Sequence, residues 1–130
     1  MIVVDTSAWI ELYRGTESPT HLVLRDLIDA GADLAITESV VMELLGGATK
    51  HRAALRKRLL AFPLLPLRGL RDFEEAAAIF RRCRNGGETL RRGFGDCLVA
   101  VPALREKASV LHHDRDFEAI ARHTELQLAI

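Results

Sequence analysis

Apolar and polar positions change their period repeatedly along this chain, and each change marks an element. Residues 2–4 are a short continuous apolar run ended by Asp5, the pattern of a strand covered on both faces, as parallel sheets require. Helical spacing follows over about 8–12, with Thr6 or Ser7 as the predicted cap, and Gly15 breaks it. Leu22, Leu24, Leu27 and Ile28 give a second helical stripe ending near Gly31. Residues 33–36 read as a strand, with Thr37 as its exit and the N-cap of a helix over TESVVMELLGG. Residues 48–62 are again helical in pattern, with Lys50, Arg52, Arg56, Lys57 and Arg58 on the polar side. Pro63 and Pro66 bracket a PLLPL stretch suited to an edge strand, where a missing donor is tolerated.

The second half repeats the alternation. Residues 70–83 predict a long helix with Phe73, Ala76, Ala77 and Phe80 inward, and 84–95 form a glycine-rich loop. Residues 96–107 are apolar and helical, 109–111 a strand, 114–122 a last helix and 126–130 a last strand. Pro102 falls inside the helix after Asp96, where it removes a donor and crowds the preceding turn, so a kink is expected there. Strands alternating with helices predict an α/β fold with a parallel, doubly wound sheet. A length of 130 residues, without repeats or linkers, predicts a single domain over 1–130.

Charge changes the picture only locally. The chain is formally neutral, and its only lysines among 18 basic residues are Lys50, Lys57 and Lys107. Neutrality argues against coating nucleic acid by bulk charge but permits an arginine rim around an acidic cleft. Cys83 and Cys97 form no CxxC pair and read as free thiols of a reducing compartment. No apolar run is long enough to span a membrane, and MIVVDTSAW lacks a basic leader, so a cytoplasmic location is expected.

The acids carry the chemistry. Open parallel sheets place their sites beyond the carboxyl ends of the strands. Asp5 ends the first strand, and Asp114 follows the 109–111 strand after two histidines. Glu43 lies on the helix after the second strand, and Asp96 starts the helix before the fourth. Four acids from separate segments are therefore expected at one sheet edge, where they repel unless a cation or raised pKa values hold them. An all-oxygen set matches Mg²⁺ or Mn²⁺ rather than zinc. Taken singly, each acid also reads as a cap or a solvated helix residue, and the shared edge is what separates the readings. Asp116 could serve only the first turn of its helix. His112 and His113 lie beside this edge without a zinc-type ligand spacing. His21, His51 and His123 read as surface residues, Trp9 and Tyr13 as core or subunit contacts, and GGETLRRGFG lacks the GK[ST] of a phosphate loop.

With these residues in view, the chain resembles a PIN domain, specifically a VapC-type toxin of a toxin–antitoxin pair. The resemblance rests on VDTSAWIEL with Asp5, TESVVMELL with Glu43, GDCLVA with Asp96, and HHDRDF with Asp114 and Asp116. It covers nearly the whole chain, and the order and separations of the pieces are more specific than any one piece. It implies a three-layer α/β/α fold and a Mg²⁺- or Mn²⁺-dependent endoribonuclease. It implies that Asp5, Glu43, Asp96 and Asp114 form the catalytic, metal-binding quartet, with Asp116 an additional ligand or outer group, and that Thr6 or Ser7 orients Asp5 or its water. An RNA substrate, a homodimer and an inhibitory antitoxin are implied as partners. Two alternatives stay open on the sequence: a PIN-type nuclease of RNA processing or DNA repair, and a non-catalytic metal- and RNA-binding regulatory module.

Overall fold

The computed structural model describes residues 1–130. Its sheet has five strands: β1 (Ile2–Val4), β2 (Leu34–Thr37), β3 (Leu64–Leu65), β4 (Ser109–Leu111) and β5 (Gln127–Leu128). Their spatial order is β3-β2-β1-β4-β5, and every pairing is parallel. Val3 lies opposite Ala35 on one side and Val110 on the other, so β1 is central and β1–β4 is where the winding reverses. Val3, Val4, Ala35, Ile36, Val110 and Leu111 are all fully buried, which explains why these strands are apolar runs without alternation. The short β3 is the edge, and Pro63 donates nothing there but accepts from Ile36.

Seven helices flank this sheet: α1 (Thr6–Arg14), α2 (Pro19–Asp29), α3 (Glu38–Gly47), α4 (Arg52–Leu59), α5 (Leu70–Asn85), α6 (Gly93–Arg105) and α7 (Arg115–His123). Trp9, Leu24, Val40, Leu59, Ile79, Val99, Phe117 and Ile120 project into the continuous apolar cluster around the strands. Thr37 caps α3 as expected, accepting from the Val40 amide at 3.4 Å. Ser18 caps α2 with Pro19 at its first position, where a missing donor costs nothing.

Several expectations need correction. The cap of α1 is Asp5, not Thr6 or Ser7; its carboxylate accepts from the Ser7 amide at 2.9 Å. The helix expected over 48–62 spans only Arg52–Leu59, since α3 ends at paired glycines and the chain turns through His51 at a φ of 57° before restarting. On α5 the inward stripe is Asp72, Ala76, Ile79 and Cys83, while Phe73 is half exposed. The inward carboxylate of Asp72 defeats a hydrophobicity count because Arg105 pairs with it at 2.8 Å and the Arg68 amide donates to it at 2.7 Å. The Arg105 guanidinium also reaches the Pro66 carbonyl, so one ion pair ties α5, α6 and the exit of β3. Finally, α6 starts at Gly93 and runs unbroken through the buried Pro102. A Cβ at position 93 would stand 2.6 Å from the Phe80 ring, so glycine is what lets α6 start against α5.

Candidate active site

The reversal between β1 and β4 opens a crevice at the carboxyl ends of both strands, the usual place for a site in such sheets. Asp5 leaves β1 with its amide donating to the Leu111 carbonyl of β4, which locks the two strand exits together. Its side chain is 3% exposed. Ser7 holds it twice, through Oγ at 2.6 Å and the amide at 2.9 Å. The same Oγ accepts from the His113 amide at 2.9 Å, so one hydroxyl joins both strand exits. Burial pushes the Asp5 carboxyl up, the Ser7 hydrogen bonds offset part of this, and the charge of Asp114 adds to the rise.

Glu43 projects from the second turn of α3 at the open lip of the crevice. Its carboxyl is raised by desolvation and by Asp5, against the opposing influence of Thr6 and Arg92. Thr6 Oγ1 is itself buried and without a hydrogen-bond partner.

Asp96 lies in the first turn of α6, 6% exposed, with Oδ2 buried and unpartnered. Burial, then the charges of Asp5, Asp114, Asp116 and Glu43, push its carboxyl up to about 9. Without a cation, this group is protonated at neutral pH. Asp114 caps α7 by accepting from the Asp116 amide at 3.0 Å, and Asp116 accepts from the Arg92 amide at 2.8 Å. Carboxylate oxygens of Asp96, Asp114 and Asp116 lie within 4.8 Å of one another.

The five acids expected together therefore share one crevice but divide by distance. Asp96, Asp114 and Asp116 form the tight group, and Asp5 and Glu43 couple to Asp96 through their charge. The donor chemistry fits a hard divalent cation. All ligand atoms are oxygens, one is buried without a partner, and four neighbouring acids add to burial in raising the Asp96 carboxyl. Neither histidine belongs to this set. His112 is buried against the Phe117 ring and its Nδ1 accepts from the Asp114 amide at 3.1 Å, holding the turn that presents Asp114. Desolvation lowers its pKa. His113 is exposed, 3.5 Å from Glu11. Trp9 is core, packed against Tyr13 and Phe62.

Outside the acids the crevice widens into a cleft of about 910 Å³. Asp114 and Asp116 line it together with Arg14, Arg91, Arg92, Arg115 and Arg122, and its only apolar lining is Ile10 and Ala119. A cleft so polar suits an extended charged polymer better than an apolar small molecule. These arginines went unrecognised in the sequence, although Arg91 and Arg92 stand directly before the glycines that lead to Asp96.

Residues 2–123 match the PIN domain family. The chain is 40% identical to VapC ribonuclease Mb1587 of Mycobacterium bovis, across 99% of this chain and 98% of that protein. The same identity and coverage hold for ribonuclease VapC11 of Mycobacterium tuberculosis. In structure it is similar to VapBC2 of Rickettsia felis bound to a promoter DNA fragment, with a TM-score of 0.72 at 18% identity over 98% of this chain and 97% of that one.

Proposed function

Because this chain belongs to the PIN-domain family, we propose that it is an endoribonuclease, the toxin of a toxin–antitoxin pair, acting through a Mg²⁺ or Mn²⁺ ion held by its acid cluster. The observation that carries the reading is the buried, unpartnered carboxylate of Asp96 beside Asp114 and Asp116 at the sheet crossover. The 40% identity to VapC ribonucleases over the whole chain supports the ribonuclease and toxin assignments over a role in processing or repair. Against a purely binding module, clustered acids facing phosphates gain nothing unless a cation bridges them.

In this reading residues 1–130 work as one nuclease domain. Asp5, Asp96, Asp114 and Asp116 hold the ion, and Glu43 completes the charge from the lip. Bound there, the ion supplies Lewis-acid polarisation of a phosphoryl oxygen, a more acidic water and compensation of leaving-group charge. The chain's own residues do the rest. Ser7 orients Asp5 and ties it to the turn carrying Asp114. Glu43, exposed at the lip with its carboxyl raised by desolvation and by Asp5, is the acid placed to exchange a proton with solvent. The arginine walls offset backbone phosphates that the acids alone would repel.

A cognate antitoxin that inserts an arginine among these carboxylates would neutralise them and exclude cation and RNA together. Exposed Tyr13, Met42 and Leu60 supply apolar area for a homodimer through the helices before residue 62, which sedimentation at micromolar concentration tests. No helix is long and apolar enough to cross a membrane, and the free, buried Cys83 and Cys97 suit the reducing cytoplasm.

The deciding experiment incubates purified protein with RNA in Mg²⁺ or Mn²⁺ and again in EDTA, with Asp5→Asn as the control for contaminating nuclease. Cutting by the wild type alone, and only with metal, is expected. Undiminished cutting in excess EDTA, or by the variant, rejects the site.

A further inference from the structure

Among the cleft arginines, Arg92 is set apart by how its backbone and side chain are placed. Its amide donates to Asp116 Oδ2 at 2.8 Å. Its carbonyl accepts from the Gly95 and Asp96 amides at 3.0 and 3.3 Å, so it also opens the turn that delivers Asp96. The residue is therefore fixed at both ends of its peptide to the two helices that carry the acid cluster. Its side chain lines the cleft with Asp114 and Asp116, yet makes no ion pair. The contrast with the other arginines matters. Arg122 on the same cleft is consumed by Glu88 at 2.8 Å, while Arg14, Arg91 and Arg115 are unpaired like Arg92 but lack its amide bond to Asp116. A guanidinium that shares the cleft wall with Asp114 and Asp116 but is bonded to neither is available for an anionic ligand.

We propose that Arg92 is a substrate-binding residue that takes a phosphate of the RNA backbone next to the scissile one, and that Asp116 is the positioning residue that presents it. The inference rests on the ribonuclease reading of this site. A guanidinium accepts two phosphate oxygens in one plane, so its placement selects the direction in which the backbone enters. Asp116 thus has two duties: Oδ2 accepts from the loop that carries Arg92, and the carboxylate is also a member of the acid cluster. The four-residue link from Arg92 to Asp96 then couples where the strand is gripped to where it is cut.

The test measures equilibrium binding of a short fluorescent stem–loop RNA against salt concentration, in an Asp96→Asn background that cannot turn over. Arg92→Ala should weaken binding by about tenfold and reduce the salt slope by about 0.7, the loss of one phosphate contact on a single strand. Arg92→Lys should restore the slope but only part of the affinity, because it returns the charge without the planar fork. Arg81→Ala, exposed and away from the cleft, should change neither. Asp116→Ala separates positioning from plain electrostatics. Deleting an acid from the cleft should strengthen RNA binding, whereas loss of the Arg92 tether should weaken it. We expect weakening when Arg92 is present and none when it is already alanine. Manganese binding, read by calorimetry in the otherwise wild-type protein, should be unchanged in Arg92→Ala. Wild-type RNA affinity and slope in Arg92→Ala, or tighter binding in Asp116→Ala, overturns this inference and leaves the ribonuclease reading standing. Protein that neither binds nor cuts RNA overturns both.

Discussion

Replacing Asp96 with Asn should make the metal-free protein more stable while ending its proposed activity. The carboxyl of Asp96 is pushed from 3.8 to about 9 inside the fold, so its folded pKa lies above its unfolded one. Its contribution to stability is therefore fully present at acid pH, below 3.8, and is lost as pH rises toward 9. Across that window each pH unit costs about 1.4 kcal/mol. At pH 7 the accumulated cost has a ceiling of about 4 kcal/mol, and relaxation around the coupled carboxylates brings the expected gain from Asn to ~2–4 kcal/mol. Asn keeps the shape, is neutral at every pH, and can donate from the position of the unpartnered Oδ2 toward the surrounding carboxylates. Urea denaturation in EDTA at pH 5, 6, 7 and 8 measures this directly. The wild type should lose stability steadily over the series, with Asp5 and Glu43, also raised, adding in the same direction. The variant should fall much less, and added Mg²⁺ should stabilise the wild type but not the variant. A variant no more stable than wild type at pH 7, together with a wild-type profile flat from pH 5 to 8, would refute the account of a strained acid cluster.

Manganese affinity should rise by up to about tenfold per pH unit between pH 6 and 8, because the ion must displace the proton on Asp96; calorimetry in two buffers of different ionisation enthalpy counts that proton, and a pH-independent affinity contradicts it. Ser7→Ala removes the hydroxyl that bonds Asp5 and receives the His113 amide. It should cost about 1–2 kcal/mol of stability and weaken manganese binding, and unchanged manganese affinity would deny Ser7 its orienting role. Asp72→Ala leaves the partly buried Arg105 without its carboxylate and should destabilise by about 3 kcal/mol, seen as a lower urea midpoint with RNA cleavage intact below the transition. Burial opposes the ionisation of Asp72, but the Arg105 pair and the Arg68 amide win and hold its carboxyl below the ordinary range. That stabilisation is present above the usual carboxylate pKa and lost as pH falls.

The strands were legible because a parallel strand leaves a simple mark. The runs ending at Asp5 and His112 are too apolar for a half-exposed element, and both are strands in the structure. The candidate aspartates were legible for a related reason, since each ends a strand or opens a helix in a fold whose sites lie at strand exits, and Glu43 lies in the second turn of the helix that follows β2. Their distances were not legible. Spacing along a chain cannot say that Asp116 joins Asp96 and Asp114 in the tight group while Asp5 couples from further off. The orientation of α5 was misread because periodicity assigns the inward face to apolar residues, and Asp72 occupies it by virtue of a partner on α6. Thr6 or Ser7 was preferred to Asp5 as the cap because three successive residues carry capping oxygens, and only the backbone direction leaving β1 selects among them. Arg92 left no periodic trace, as it lies in a segment tied down by one long-range hydrogen bond, to Asp116.

The placement of β1 between β2 and β4 has a consequence for when this protein first becomes dangerous to RNA. Chains emerge from the ribosome amino end first, and β1 is made long before its partner β4. Asp5 and Glu43 are therefore exposed to the cell early, but without the Leu111 carbonyl or the turn through His113 that fix the exit of β1. Asp96, Asp114 and Asp116 come later, and the Arg92 loop has no anchor until residue 116 is out. Pairing across more than a hundred residues is also among the slower steps of folding. A half-made chain thus cannot assemble the cluster, however long translation pauses. The topology acts as a timer: the acid cluster cannot close until nearly the whole chain has been made.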